Sequence, residues 1–303
     1  MRIFDCFLYS GEKDILNLRL NLMNEYVHKF VIIESSKTFS GLDKKLYFPE
    51  HKDYFNDFLQ KIEYHQIELP EYETTWEKEF YIRNQLKFIS KPNDEDIIII
   101  ADVDEIVNLK NILNKQEINK PYRIELRTYY NFFNNQSNEI FKTTLISTYK
   151  NIKNVDIGNR NNYKALFPEI ITDNFDENGG HFTYMFGWEI EKYIEKIKSF
   201  SHTELNTPYY TNHKRIKKYL IYNFDLFDRF NFRYKQVDLN SIYPEMYSLL
   251  INNTETSKII KKFSFEIFLS YFTRYFDKHY WKTKKWHIRI AGSKLIKKLL
   301  SRK

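Results

Sequence analysis

Residues 97–106 read Ile-Ile-Ile-Ile-Ala-Asp-Val-Asp-Glu-Ile, an apolar run ending in three carboxylates. Preceded by the turn-forming Pro92-Asn93-Asp94-Glu95-Asp96, such a run describes a strand buried on both faces, as in the middle of a parallel sheet. Helices must then cover both sides, which commits the chain to an α/β architecture. The carboxylates Asp102, Asp104 and Glu105 would repel one another at the strand's end, so a cationic partner is expected there.

The surrounding pattern agrees. Residues 2–9 read as a first strand, Asp14 to Tyr26 carry Ile15, Leu18, Leu22, Met23 and Tyr26 at helical spacing, and residues 29–35 read as a second strand ending in Glu34. Short connections of this kind imply a parallel β-α-β pair. A helix is predicted over 74–89, with Trp76, Phe80, Arg83, Leu86 and Phe88 along it. Further on come a strand over 122–133, a Gly-led strand or loop over 179–186 and a charged helix over 188–200. From about 245 the pattern is helical, and 264–276 is apolar on one face. Without a repeat or a Gly/Ser linker, the chain is expected to form one α/β domain over 1–245. A helical, basic C-terminal region over 246–303 would pack on it or face a membrane.

With 42% hydrophobic residues in 303 and only seven Gly and seven Pro, the chain can bury a large core. One cysteine, Cys6, excludes an internal disulfide framework. No basic leader precedes an apolar core, and no window reaches the ~20 apolar residues of a bilayer span. A cytoplasmic protein is therefore expected, and the sequons at Asn135 and Asn252 are read as chance. The net charge of +7 is concentrated after Lys258.

In an open α/β sheet, ligands gather at the carboxyl ends of the strands, where the acidic group sits. Strand residues alternate faces, so Asp102 and Asp104 are expected on one side, within reach of one divalent cation. Hard oxygen ligands favour Mg²⁺ or Mn²⁺, ions that also bind substrate phosphates. A second reading is a haloacid-dehalogenase-like phosphatase with Asp102 as nucleophile, although its later Gly-Asp pair is missing. A third is a basic, aromatic-rich nucleic-acid-binding protein, against which most aromatics fall at core-spaced positions.

Five segments in order resemble glycosyltransferase family 17: "IFDCFLYSGEKDILNLRLNLM", "VIIESSKTFSG", "EKEFYIRNQL", "DIIIIADVDEI" and "HFTYMFG" followed by "EKIKSFSHTE", together spanning residues 3–204. The resemblance implies a GT-A-like, Rossmann-type mixed sheet flanked by helices, with a helical C-terminal appendage. It also implies a nucleotide-sugar donor, most simply a UDP-sugar, and a Mn²⁺ or Mg²⁺ ion held by Asp102 and Asp104, with Glu105 beside them and His202 completing the shell. Transfer would proceed with inversion and a general base, for which Glu191 is chosen. Asp5, Glu34, Thr38, Gly41, Arg83, Asp102 and His181 are expected around the donor. The sequence departs from its relatives at Gly179-Gly180-His181, where family members commonly have Gly-Trp-His, so any stacking that this Trp gives an acceptor sugar is missing.

What this implies is transfer of a sugar such as N-acetylglucosamine to a glycan or lipid-linked glycan in surface polysaccharide synthesis, without nucleic acid. In residues 281–303, Trp286, Ile288, Ile290, Leu295, Ile296, Leu299 and Leu300 supply an apolar side. Lys294, Lys297, Lys298, Arg302 and Lys303 supply a cationic one. That composition leads to the expectation of peripheral contact with the inner face of an anionic membrane.

Overall fold

The structure, a computed structural model, describes residues 1–262 other than 72–73, 88–90, 173–176 and 230, together with residue 269. The helix expected over 264–276, apart from residue 269, and the basic segment 281–303 lie outside the described residues. Ten strands occur among those described: β1 (Ile3–Leu8), β2 (Lys29–Glu34), β3 (Ile62–Gln66), β4 (Ile97–Asp102), β5 (Glu105–Val107), β6 (Tyr122–Tyr130), β7 (Asn135–Thr148), β8 (Ile170–Ile171), β9 (Gly179–Thr183) and β10 (Tyr234–Gln236). The sheet runs β3-β2-β1-β4-β7-β6-β9-β5, with β8 beside β6 and β10 beside β7. Its first four strands are parallel, and β7 then adds to β4 in the antiparallel sense. Helices flank this mixed sheet, giving a Rossmann-like α/β fold.

Alternation along the central strands divides the interior in two. Ile3, Phe7, Phe30, Ile32, Ile97, Ile99 and Ala101 enter one core with Leu16 and Leu20 of the helix Lys13–Met23. Phe4, Cys6, Val31, Ile33, Ile98 and Ile100 enter the other with Ile82 of the helix Thr75–Gln85. That second helix starts in a capping box, in which Thr74 and Glu77 satisfy each other's backbone N–H groups. Ile97 to Ala101 are all at most 1% exposed, so this strand is buried on both faces. The first part of the expected appendage is built into the body: Met246, Leu250 and Ile259 belong to the first core.

The sequence reading assigns no strand to Asn135–Thr148, yet it is 14 residues long and lies between β4 and β6. Its opening Asn-Gln-Ser-Asn-Glu reads as a polar turn. In the fold, Asn135 is wholly buried, and its side-chain amide donates to the Tyr130 carbonyl at 3.1 Å. Tertiary hydrogen bonding overrides local propensity here.

Candidate active site

β4 ends at Asp102, Val103 and Asp104 form a turn, and β5 begins at Glu105. Alternation therefore stops where the strand stops, and the three carboxylates differ in their partners. Asp102 continues the face of Ile98 and Ile100. It meets Arg83 Nη2 and Arg160 Nη1, each at 3.2 Å. Although burial alone pushes its carboxyl up, Arg160 and Arg83 hold it well below the usual carboxylate range. Glu105 has no exposed surface, accepting Arg160 Nη1 at 2.5 Å and the Thr144 hydroxyl at 2.7 Å. Gly158 allows this reach, because a Cβ there would stand 2.3 Å from the Phe80 carbonyl oxygen and push the Arg160 loop off its helix.

The turn is fixed from beneath by Arg19. Its guanidinium donates to both carboxylate oxygens of Asp5, at 2.7 and 2.5 Å. It also donates to the carbonyls of Asp102, Val103 and Glu105 at 3.1, 3.2 and 2.7 Å. Both side chains are fully enclosed. Asp5, expected at the donor, instead orients the arginine that holds the acidic turn.

Asp104 is left facing His181, with Oδ2 3.7 Å from the histidine Nε2. β9 runs antiparallel to β5 with His181 opposite Glu105, which brings a residue 77 positions away onto the turn. Gly179 makes the pairing close, since its φ is +117° and a Cβ would lie 2.2 Å from the Ile106 carbonyl oxygen. Burial and the neighbouring Asp102 raise the Asp104 carboxyl to about 7. Burial pushes the His181 imidazole down to about 4, and its buried Nδ1 has no hydrogen-bond partner. Ligand atoms of Asp104, Glu105 and His181 all lie within 4.8 Å of one another. Two hard carboxylates and a neutral imidazole with an orphaned nitrogen suit a divalent cation. Lys196 and Glu12, paired at 2.8 Å, are close enough to influence Asp104's charge.

A description of Glycosyltransferase family 17 matches residues 1–261. The chain belongs to this family. No curated protein matches it. As a family 17 member the chain is a glycosyltransferase, for which a nucleotide-sugar donor is expected, and the phosphatase reading gives way. Asp102, the nucleophile in that reading, is clamped by two arginines.

The remaining residues singled out from the family 17 resemblance scatter around this centre. Glu34 is enclosed at the end of β2, accepting from Tyr47 N, Phe48 N, Lys44 Nζ and the Tyr64 hydroxyl, so it holds the following loop. Thr38 and Gly41 form that loop's tip, where the Thr38 hydroxyl accepts from Leu42 N and Gly41 takes φ +88°. Arg83 is spent on Asp102 and Glu79. His202 bonds Glu204 at 2.8 Å and packs its ring edge-on to Trp76, so the structure does not bring it to Asp104. Its neighbour Ser201 does connect to the centre, donating to Glu79, which pairs with Arg83. Glu191 has a side chain 74% exposed, 3.8 Å from His213. It stands about 140° around its helix from Lys196, the residue that turns toward Asp104.

Sequence reasoning missed Arg19 and Arg160. For Arg19 a signal exists: a lone arginine among leucines on a helix that must face a strand carrying the buried Asp5. Arg160 sits in a polar loop with no such mark.

Proposed function

We propose that the protein is an inverting, metal-dependent glycosyltransferase of GT-A type, using a nucleotide-sugar donor, most simply UDP-linked. The observation that carries this reading is the contrast at the acidic turn. Arginines compensate Asp102 and Glu105, whereas Asp104 meets a neutral imidazole. Asp104 and His181, with Glu105 beside them, would hold Mn²⁺ or Mg²⁺, which supplies positive charge to the departing diphosphate.

Arg83 and Arg160 keep the adjoining carboxylates from repelling that diphosphate. The acceptor hydroxyl attacks the anomeric carbon opposite the leaving group. Its oxygen forms the new bond, the sugar–phosphate C–O bond breaks, and the hydroxyl proton passes to a carboxylate. Glu191, chosen from the family resemblance, and Glu12, next to Lys196, compete for that role. The acceptor in this reading is a glycan or lipid-linked glycan.

The test is a screen of nucleotide sugars for hydrolysis and thermal stabilisation with Mn²⁺, Mg²⁺ or chelator. One donor class is expected to turn over only with metal and to fail in Asp104→Asn. Metal-independent turnover, or no response to any nucleoside diphosphate, would overturn the proposal. Glu191→Gln and Glu12→Gln identify the base by loss of kcat at unchanged donor KM.

A further inference from the structure

Lys196 is a cation that the acidic turn does not use. Arg83 and Arg160 are spent on the turn's carboxylates and Arg19 on its carbonyls, whereas Lys196 Nζ donates to Glu12 Oε1 at 2.8 Å. An ammonium has three N–H groups, and among the described residues Glu12 is the only hydrogen-bond partner of this one. On the helix Ile190–Ser199, the residues Ile190, Tyr193 and Ile197 are buried. Lys196 stands about 60° around the axis from Tyr193, at the margin of that inner side. Its side chain is 35% exposed, while Lys192 and Lys198 of the same helix are exposed.

Glu12 is held in place to receive it. β1 ends at Leu8, opposite Asp102 at the end of β4, so the loop after β1 lies at the same edge of the sheet as the acidic turn. Gly11 has φ +100°, and a Cβ there would stand 2.9 Å from the Tyr47 ring, which fixes the chain just ahead of Glu12. Ser10 N donates to Glu12 Oε2 at 3.1 Å, leaving Oε1 to Lys196. Burial pushes the Lys196 ammonium down, but Glu12 and then Asp104 raise it above its ordinary value, so it is charged at neutral pH.

We infer that Lys196 binds the diphosphate of the donor and that Glu12 positions the lysine for it, an inference that rests on the reading of the acidic turn as a nucleotide-sugar site. A divalent cation on Asp104 and His181 would stand near this ammonium, and two cations so placed repel unless an anion lies between them. A diphosphate offers oxygens to both, and a lysine that keeps unused N–H groups can meet it with a charge-assisted hydrogen bond. A pair that served only to tie the helix to the β1 loop would predict loss of stability without loss of diphosphate binding.

The experiment is calorimetric titration of UDP, and separately of inorganic pyrophosphate, into the full-length protein with Mn²⁺. Lys196→Gln is expected to bind both probes about 10- to 100-fold more weakly, the loss of one charge-assisted hydrogen bond, and Lys196→Arg to keep most of the affinity. Binding of Mn²⁺ alone, followed by electron paramagnetic resonance, should not weaken in Lys196→Gln. Glu12→Gln should weaken both probes in the parent and change nothing further once Lys196 is Gln, because Glu12 acts through the lysine. A Lys196→Gln protein that binds both probes as tightly as the parent would overturn the inference and leave the metal-dependent donor site standing. Weaker binding of Mn²⁺ alone would also overturn it, since the lysine would then act on the turn as a whole. Unchanged affinity in Glu12→Gln would overturn the positioning role. A parent that binds neither probe with Mn²⁺ would overturn the donor-site reading and this inference with it. Melting temperatures verify folding, and should Lys196→Gln misfold, Lys196→Met, which keeps the apolar stem, is judged by the same outcomes.

Discussion

Arg160 grips Glu105 at 2.5 Å and Asp102 at 3.2 Å with the same nitrogen. Glu105 has no access to water, so its charge depends on that arginine. Arg160→Ala is expected to cost about 3–5 kcal/mol in urea denaturation, the usual result of stranding a buried charge. Arg160→Lys should fall between, because it keeps the charge and loses the fork. An Arg160→Ala protein as stable as its parent would mean that Glu105 is neutral in the fold.

Asp104 gives a pH-dependent prediction. Its folded carboxyl is raised to about 7, so the folded state holds a proton that the unfolded state releases near the ordinary value of 3.8. Stability therefore falls as pH rises from the unfolded value to about 7, and the cost is full above that. Without metal, Asp104→Asn should stabilise the protein by up to about 4 kcal/mol at pH 8 and by little at pH 4. With Mn²⁺ and a nucleoside diphosphate the order should reverse. Thermal melts at the two pH values check both halves.

The Asp5–Arg19 pair yields a different signature. Asp5→Ala should destabilise by about 3–5 kcal/mol, since it leaves a buried guanidinium uncompensated. At temperatures where the variant stays folded, any rise in its KM for the donor should accompany the loss of stability, because Asp5 reaches the acidic turn only through Arg19. A raised KM with normal stability would restore Asp5 as a donor contact.

Asp96 should shape acid unfolding. Burial alone raises its carboxyl, but the Arg2 guanidinium and the backbone N–H groups of Arg2 and Asn93 hold it down to about 2. A depressed carboxyl stabilises the fold above its unfolded value, and that contribution fades as pH falls through about 2. Asp96→Asn is expected to cost about 1–2 kcal/mol at neutral pH, and the difference from the parent should close toward pH 2.

What the sequence showed follows the range of the forces involved. β4, the helix behind it and the parallel start were legible because short-range patterning writes them: four isoleucines, a capping box, apolar residues at helical spacing. The family was legible because five such segments recur in order. Within the candidate site, local patterning marked only the acidic turn; Arg83 and His181 were named through the family resemblance, since completion of the turn depends on distant partners. Arg160 comes from 55 residues beyond Glu105, and His181 arrives through a strand register that no local pattern encodes. His202 and Glu191 matched a sequence pattern, but their directions are set by packing against Trp76 and beside His213.

The position of β7 has a consequence for how the protein is made. β4 receives its second neighbour only when Leu145–Thr148 pair with Ile97–Ile100. A nascent chain therefore emerges from the ribosome with four consecutive isoleucines on an uncovered edge, and more than forty further residues must be synthesised before that edge closes. At roughly 5–20 residues per second the delay lasts a few seconds, long enough for one emerging chain to pair with another. Expression should accordingly depend on holdase chaperones and improve at low temperature. Translation pausing within residues 110–140 should lower the soluble yield more than equal pausing after residue 150.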